Sequence, residues 1–359
     1  MLALLTVVAL AAADIPPPPA PPGEQQLVSW VMSPALCRGS GDTPRAERMV
    51  RPPDPQHALA WLYPAVLRPV TLDFRIDATG RPLSIVRVNP DYQFAMADVV
   101  PAFAASRFAP GGERSRCTVT FTARTDAIAV APVADLVAYS VFPNEPPPRA
   151  VWDRVRPPGS TCTDPVPEVL LRAFPHFKAL PDQPGYRSWS MVGYDLDRSG
   201  KPVRPHITTT SGTPALDQAS VRAVATSRFE RGARTGCFFP YWKGAATLPA
   251  PPAPEEDSVR PADATCPKEH DFDRKPALLY PERYSRRSIE GWAIIAFDVA
   301  SWGATGNIRT LASEPTSEFG EAAKAMIGNV TFKPSPHGYT GCIERVFYRM
   351  PAVKKAVPG

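Results

Sequence analysis

The side chains best able to do covalent chemistry in this chain are six cysteines, at 37, 117, 162, 237, 266 and 342. No Cys-x-x-Cys occurs, and no Cys/His cluster has zinc-ligand spacing. The chemistry they point to is disulfide formation, not metal binding. The five histidines (57, 176, 206, 270 and 337) are scattered, none at ligand spacing from another. Asp73/Asp77 and Asp195/Asp197 flank turn sequences, where solvated carboxylates are common, and nothing beside them points to acid–base work. Gly-x-Ser-x-Gly, His-Glu-x-x-His and phosphate-cradling glycine loops do not occur. The chain reads as a non-enzymatic protein with no cofactor and no metal.

Paired cysteines need an oxidising compartment. Leu2–Ala13 is a continuous apolar run ending Ala11-Ala12-Ala13. It has the length of a signal-peptide apolar region and falls short of the ~20 residues a bilayer-spanning helix needs. Residues 1–13 are therefore expected to be a signal peptide, and the alternative is a retained membrane anchor. Of 359 residues, 44% are hydrophobic and 21% charged, a globular balance. The 46 prolines are more than double the ~5% of average usage. Their clusters predict spacers: a proline-rich segment over 14–30, a linker over 131–156 and a proline-rich linker over 246–261. The net charge of +5 is spread without a basic tract, which argues against nucleic acid as a partner.

What must position the cysteines is a repeat. "SRFAPGGERSRC", "SRFERGARTGC" and "VTFKPSPHGYTGC" end at Cys117, Cys237 and Cys342, with a Phe nine, eight and ten residues earlier. Upstream stand three glycine turns, "DATGRP", "DRSGKP" and "WGATGN". Their glycines (Gly80, Gly200 and Gly306) precede that Phe by 28, 29 and 26 residues. Agreement of several spacings across three copies marks internal repetition. The repeat selects the pairing Cys37–Cys117, Cys162–Cys237 and Cys266–Cys342, one bridge per copy. Each closes a loop long enough for chain-entropy stabilisation of up to about 4–5 kcal/mol.

Each copy has the same order of elements. Val70, Leu72, Phe74 and Ile76 alternate with polar residues, as Ile295, Phe297 and Val299 do on one face later on, which predicts strands running into the glycine turns. A second strand leaves each turn (Leu83–Val88, Val203–Thr208, Ile308–Leu311), making a hairpin. A helix follows. Phe319, Ala322, Ala323, Met326 and Val330 share one helical face, with Ser317 as the expected cap, and Thr213-Pro214 opens its counterpart. Pro101 should break or kink the first. The last strands are expected at Thr118–Ala123, Phe238–Trp242 and Ile343–Met350. The fold class is α+β: three tandem units over 31–130, 157–245 and 262–353, each a small antiparallel sheet with two helices on one face, the first helix short or lost in copy one.

Residues 280–350, "YPERYSRRSIEGWAIIAFDV…GNIRTLASEP…FGEAAKAMIGNVTFKP…CIERVFYRM", resemble the carboxy-terminal domain of TonB, the energy transducer acting on bacterial outer-membrane receptors. Tyr-Pro, an Arg-rich short helix, a glycine before the first strand, an Ala-rich helix and a Phe-x-Pro segment carry the resemblance. Copy two has Phe174-Pro175 where Tyr-Pro would stand, and copy one retains Tyr63-Pro64. In the stretch itself, Pro281 starts the helix, Arg283, Arg286 and Arg287 keep its outer face solvated, and Gly291 stops it. The resemblance implies a periplasmic location, or an inner-membrane anchor facing that compartment. It also implies that an extended segment of a receptor joins the sheet as an extra strand. Carried over, the partner-binding residues are Tyr280, Pro281, Ile343, Arg345, Phe347 and Arg349. The partner is an outer-membrane receptor or another envelope protein. Two alternatives stand: a scaffold binding peptidoglycan or itself, and a true transducer with a truncated anchor. The sequence leaves oligomeric state open.

Overall fold

A computed structural model describes residues 25–38, 44–61, 67–89, 94–163, 165–269, 272–274 and 277–351. The expected signal peptide and the Tyr63-Pro64 pair lie outside the described residues. The first sheet is built on β1 (Gln25–Met32), β2 (Ala58–Trp61), β3 (Val70–Ile76), β4 (Pro82–Arg87) and β5 (Arg114–Ala127). β3 lies between β4 and β5, and β5 carries β1 on its other side, with β2 beyond it, all antiparallel. The second sheet is β6 (Ser188–Leu196) between β7 (Pro202–Thr210) and β8 (Arg234–Lys243). The third is β9 (Gly291–Val299) between β10 (Thr305–Glu314) and β11 (Tyr339–Tyr348). Helices α1 (Val99–Ala105), α4 (Pro214–Thr226) and α6 (Ser317–Gly328) follow the second strand of each hairpin. Disulfides join Cys37–Cys117, Cys162–Cys237 and Cys266–Cys342.

The three hairpins turn through one geometry. Gly80, Gly200 and Gly303 have φ of +84°, +81° and +95°. Their N–H groups donate to the carbonyls of Asp77, Asp197 and Ala300, and their carbonyls accept from the N–H of Phe108, Phe229 and Phe332, all at 2.8–3.0 Å. A Cβ on any of them would fall within 2.0–2.2 Å of the Phe carbonyl oxygen, so both the left-handed φ and the close approach demand glycine. In the third hairpin this glycine is Gly303. Gly306, picked out from the sequence, lies inside β10 with ordinary φ. The residues before the last-strand cysteines (Arg116, Gly236 and Gly341) and one residue in each second strand (Ser84, Arg204 and Asn307) are also left-handed.

Several local expectations change. Pro101 sits in the first turn of α1, where its missing N–H was unpaired in any case, so the helix is short but unbroken. Thr316, not Ser317, stands at the N-cap position of α6, and its hydroxyl donates to the Tyr284 hydroxyl at 2.8 Å rather than to the helix's own N–H groups. Gly291 does not end the short helix α5 (Glu282–Arg286). It opens β9, where a side chain would strike the Phe319 ring at 2.7 Å.

The spacers are structural. Residues 25–30, placed in the leading proline-rich segment, belong to β1. The 131–156 linker holds α2 (Val133–Val141) and α3 (Arg149–Val155). Their buried Leu136, Val137, Tyr139, Val151 and Val155 pack with Leu27 of β1 and with Trp189 and Met191 of β6. Part of the 246–261 linker covers the third sheet. β9 is buried on both faces because α6 packs on Ala293, Ile295 and Phe297, while Ala250, Ala253 and Val259 pack on Trp292, Ile294 and Ala296. The first and third sheets share one core, in which Phe74, Phe103 and Phe121 join the same cluster as Phe297, Phe319 and Tyr348.

Candidate functional site

β11 is an edge strand. Its main chain pairs with β9 over Tyr339–Tyr348, and among the described residues no strand pairs with its outer side. At its start the Thr265 and Cys266 N–H groups donate to the Thr340 carbonyl at 3.1 and 3.2 Å, beside the Cys266–Cys342 bridge.

The other two sheets treat the matching edge differently. In pairing register Cys117, Cys237 and Cys342 correspond, opposite Phe74, Tyr194 and Phe297. On the first sheet the chain itself supplies the next strand: β1 pairs antiparallel with β5 from Met32 against Phe121 to Gln26 against Ala127, and β2 closes on the far side of β1. On the second sheet, Pro240 of β8 stands opposite Met191. Proline has no N–H, so it belongs on an edge with its nitrogen turned outward, and that edge lacks a donor there. The aligned residue of β11 is Arg345, opposite Ile294. Among the described residues, the first edge is occupied, the second is short of a donor, and the third has neither a paired strand nor a proline.

The six residues assigned from the sequence divide in two. Tyr280 packs edge-on against Tyr348 (ring centroids 5.6 Å) and Phe319 (6.3 Å), and its hydroxyl donates to the Ile289 carbonyl at 2.6 Å. Burial pushes its phenol well above the usual range, with the Glu290 charge adding to the shift. Pro281 is the N-cap of α5. Ile343 is buried against Trp292 and Ile294. Arg345, Phe347 and Arg349 form a ladder on the same face, both guanidinium carbons 5.2 Å from the Phe347 ring centroid, and Arg345 pairs with Glu255 at 3.1 Å. Leu278 and Leu279, just before Tyr280, are exposed. In the first sheet the equivalent approach to Tyr63-Pro64 is β2, the outer wall of the slot that holds β1.

Sequence reasoning missed the junction behind this site. Arg287, expected on a solvated face, is 2% exposed. Its Nε donates to Asp98 Oδ1 at 2.7 Å and its Nη2 to Asp98 Oδ2, while the Asp54 carbonyl accepts from Nη2 at 2.7 Å and the Gly185 carbonyl from Nη1 at 3.4 Å. Arg187 adds a contact to Asp98 at 3.6 Å, and the Gln56 N–H donates to it at 2.7 Å. Burial alone would raise the Asp98 carboxyl, but Arg287, Arg187 and these hydrogen bonds together hold it below the usual carboxylate range. Burial next to Arg287 lowers Arg187 to about 10. One carboxylate thus ties together residues that flank all three sheets. Charge spacing gave no hint of it, because the partners lie 189 positions apart.

Among the described residues, no His/Cys/Asp/Glu group could hold a metal, and no helix is long and apolar enough to cross a membrane. Residues 276–344 match the family described as Gram-negative bacterial TonB protein C-terminal. That match begins just before Tyr280-Pro281 and ends within β11. No curated protein matches the chain.

Proposed function

We propose that this is a non-catalytic, periplasmic TonB-like protein whose third sheet takes up an extended segment of an outer-membrane receptor or another envelope protein along the open edge of β11. One observation carries the reading: on the first sheet, the chain's own β1 already fills the corresponding slot, clamped between β5 and β2. The incoming strand would lie antiparallel to β11, as β1 lies to β5. Main-chain hydrogen bonds would supply its affinity, and the exposed Leu278 and Leu279 and the half-buried Phe347 apolar contacts for its side chains. The three sheets are read as tandem copies of one module, which the shared turn glycines, left-handed positions and disulfide placement support. Among the described residues, no strand pairs with the outer side of β11, and no proline interrupts it as Pro240 interrupts β8.

Arg345→Pro tests the reading because it gives β11 the same missing donor as Pro240 gives β8. Losing one main-chain hydrogen bond and straining its neighbours should weaken capture of envelope proteins by about tenfold or more, with circular dichroism unchanged. Capture that survives Arg345→Pro undiminished sinks the proposal. Retention of the chain on isolated cell-wall sacculi, with no receptor enriched, would favour the scaffold instead.

A further inference from the structure

The face of the third sheet turned away from α6 is closed by an extended stretch of the chain itself. Ala250 and Ala253 lie on Trp292 and Ile294, the Pro251 carbonyl accepts from Trp292 Nε1 at 2.8 Å, and Glu255 pairs with Arg345. The stretch, Leu248–Asp257, reads LPAPPAPEED: proline-rich, then acidic. A sheet face offers side chains and no free main-chain acceptors. A segment whose residues lack N–H groups therefore strands few donors there, and its stiffness lowers the entropy lost on docking.

The second sheet presents the matching face at Met191 and Phe238, which stand in register where Ile294 and Ile343 stand in the third. Here the cover is incomplete. Between this face and the α2–α3 hairpin lies a groove of ≈ 760 Å³, walled by Val133, Val137, Val155 and Pro157. Its volume lies within the roughly 300–1,000 Å³ of ligand sites. One end carries Arg154 and Arg156 against a single carboxylate, Asp153, which Arg149 also contacts. Arg156 Nε is buried without a hydrogen-bond partner. The groove therefore joins an apolar floor of the kind Leu248–Asp257 covers to an excess of positive charge at one end.

We propose that this groove is a second binding site, taking an extended proline-rich peptide segment of another protein with an acidic flank directed at Arg156. It is separate from the β11 edge, and neither site needs the other. A fluorescein-labelled peptide of sequence LPAPPAPEEDS, titrated by anisotropy into the full oxidised chain, is the probe. Saturable binding is expected. Ala134→Trp, at an exposed position of α2 lining the groove, should fill it and weaken binding about tenfold or more, as should the charge reversal Arg156→Glu. A peptide with alanine for each proline should lose binding, while Arg345→Pro should leave it unchanged. Absence of saturable binding overturns the proposal. Affinity indifferent to Ala134→Trp does the same, since the peptide would then sit elsewhere, as on the third sheet. Binding seen only after removal of residues 1–24 would assign the groove to the chain's own Ile15–Pro22 tract and overturn the claim of a separate partner.

Discussion

At the scale of single residues, the run of three arginines in "YPERYSRRSIEG" conceals two opposite fates. Arg286 pairs with Glu282 on the surface, whereas Arg287 is buried on Asp98. Residue type cannot separate them; the partner's place in the fold does. Removing one member of a buried ion pair leaves the other uncompensated, which typically costs about 3–5 kcal/mol. Asp98→Ala should fall in that range in urea unfolding, worsened by the like charges of Arg287 and Arg187. Asp73→Ala, on the exposed side of β3, should stay within about 0.5 kcal/mol. The Asp98 carboxyl is depressed on folding. Its contribution is therefore complete above the unfolded value of about 3.9 and fades as pH falls through the lower folded value. Acid unfolding of Asp98→Ala should accordingly be less steep below pH ~4 than that of the parent. Equal acid profiles would remove Asp98 from the account.

At the scale of elements, the hairpins separate what pattern can reveal from what it cannot. Alternation in Val70–Ile76, the Thr213-Pro214 helix start and the cysteine pairing were all legible, because each rests on local periodicity or on spacing repeated three times. The third turn was misplaced by three residues. "ASWG" lacks the aspartate that accepts local hydrogen bonds in "DATG" and "DRSG", and "ATGN" imitates them. Gly303→Ala should thus cost about 1–3 kcal/mol, from the left-handed φ and the collision with the Phe332 carbonyl, whereas Gly306→Ala should be nearly neutral. The reverse order of melting temperatures would restore Gly306 as the turn. β1 and the α2–α3 hairpin escaped notice for another reason. Gln25–Met32 and Val133–Val141 are short apolar runs beside prolines, and only their long-range partners, β5 and the face of β6, give them a role. The last strand was legible, and the resemblance implied that it takes up an added strand; that β1 fills the matching edge of the first sheet and Pro240 interrupts that of the second was not, since neither shows in local pattern.

At the scale of the whole molecule, proline-rich joints suggest beads on a string, and the packing says otherwise. Ser84 N–H and hydroxyl and Arg75 of the first sheet all donate to Glu314 at the end of β10, at 2.6–2.8 Å. The Ile85 N–H donates to the Pro315 carbonyl, and Arg81 reaches the Pro249 carbonyl. β1 and β2 carry Leu27 and Leu59 into the cluster that holds Trp189 and Met191 of the second sheet. Contacts of this kind couple unfolding, because no sheet can open without exposing the apolar surface of a neighbour. The full oxidised chain should therefore unfold in urea as one transition, coincident by tryptophan fluorescence and circular dichroism. Residues 262–353 alone lack the partners of Arg287 and the shared core of Phe74, Phe103 and Phe121, so they should lose at least ~3 kcal/mol of stability. Two well-separated transitions in the full chain, or a fragment as stable as its parent, would mean that the sheets fold independently. The edge of β11 would then be presented by a mobile module. A fixed edge suits augmentation better, since the strand it receives meets a surface already ordered and binding loses less entropy.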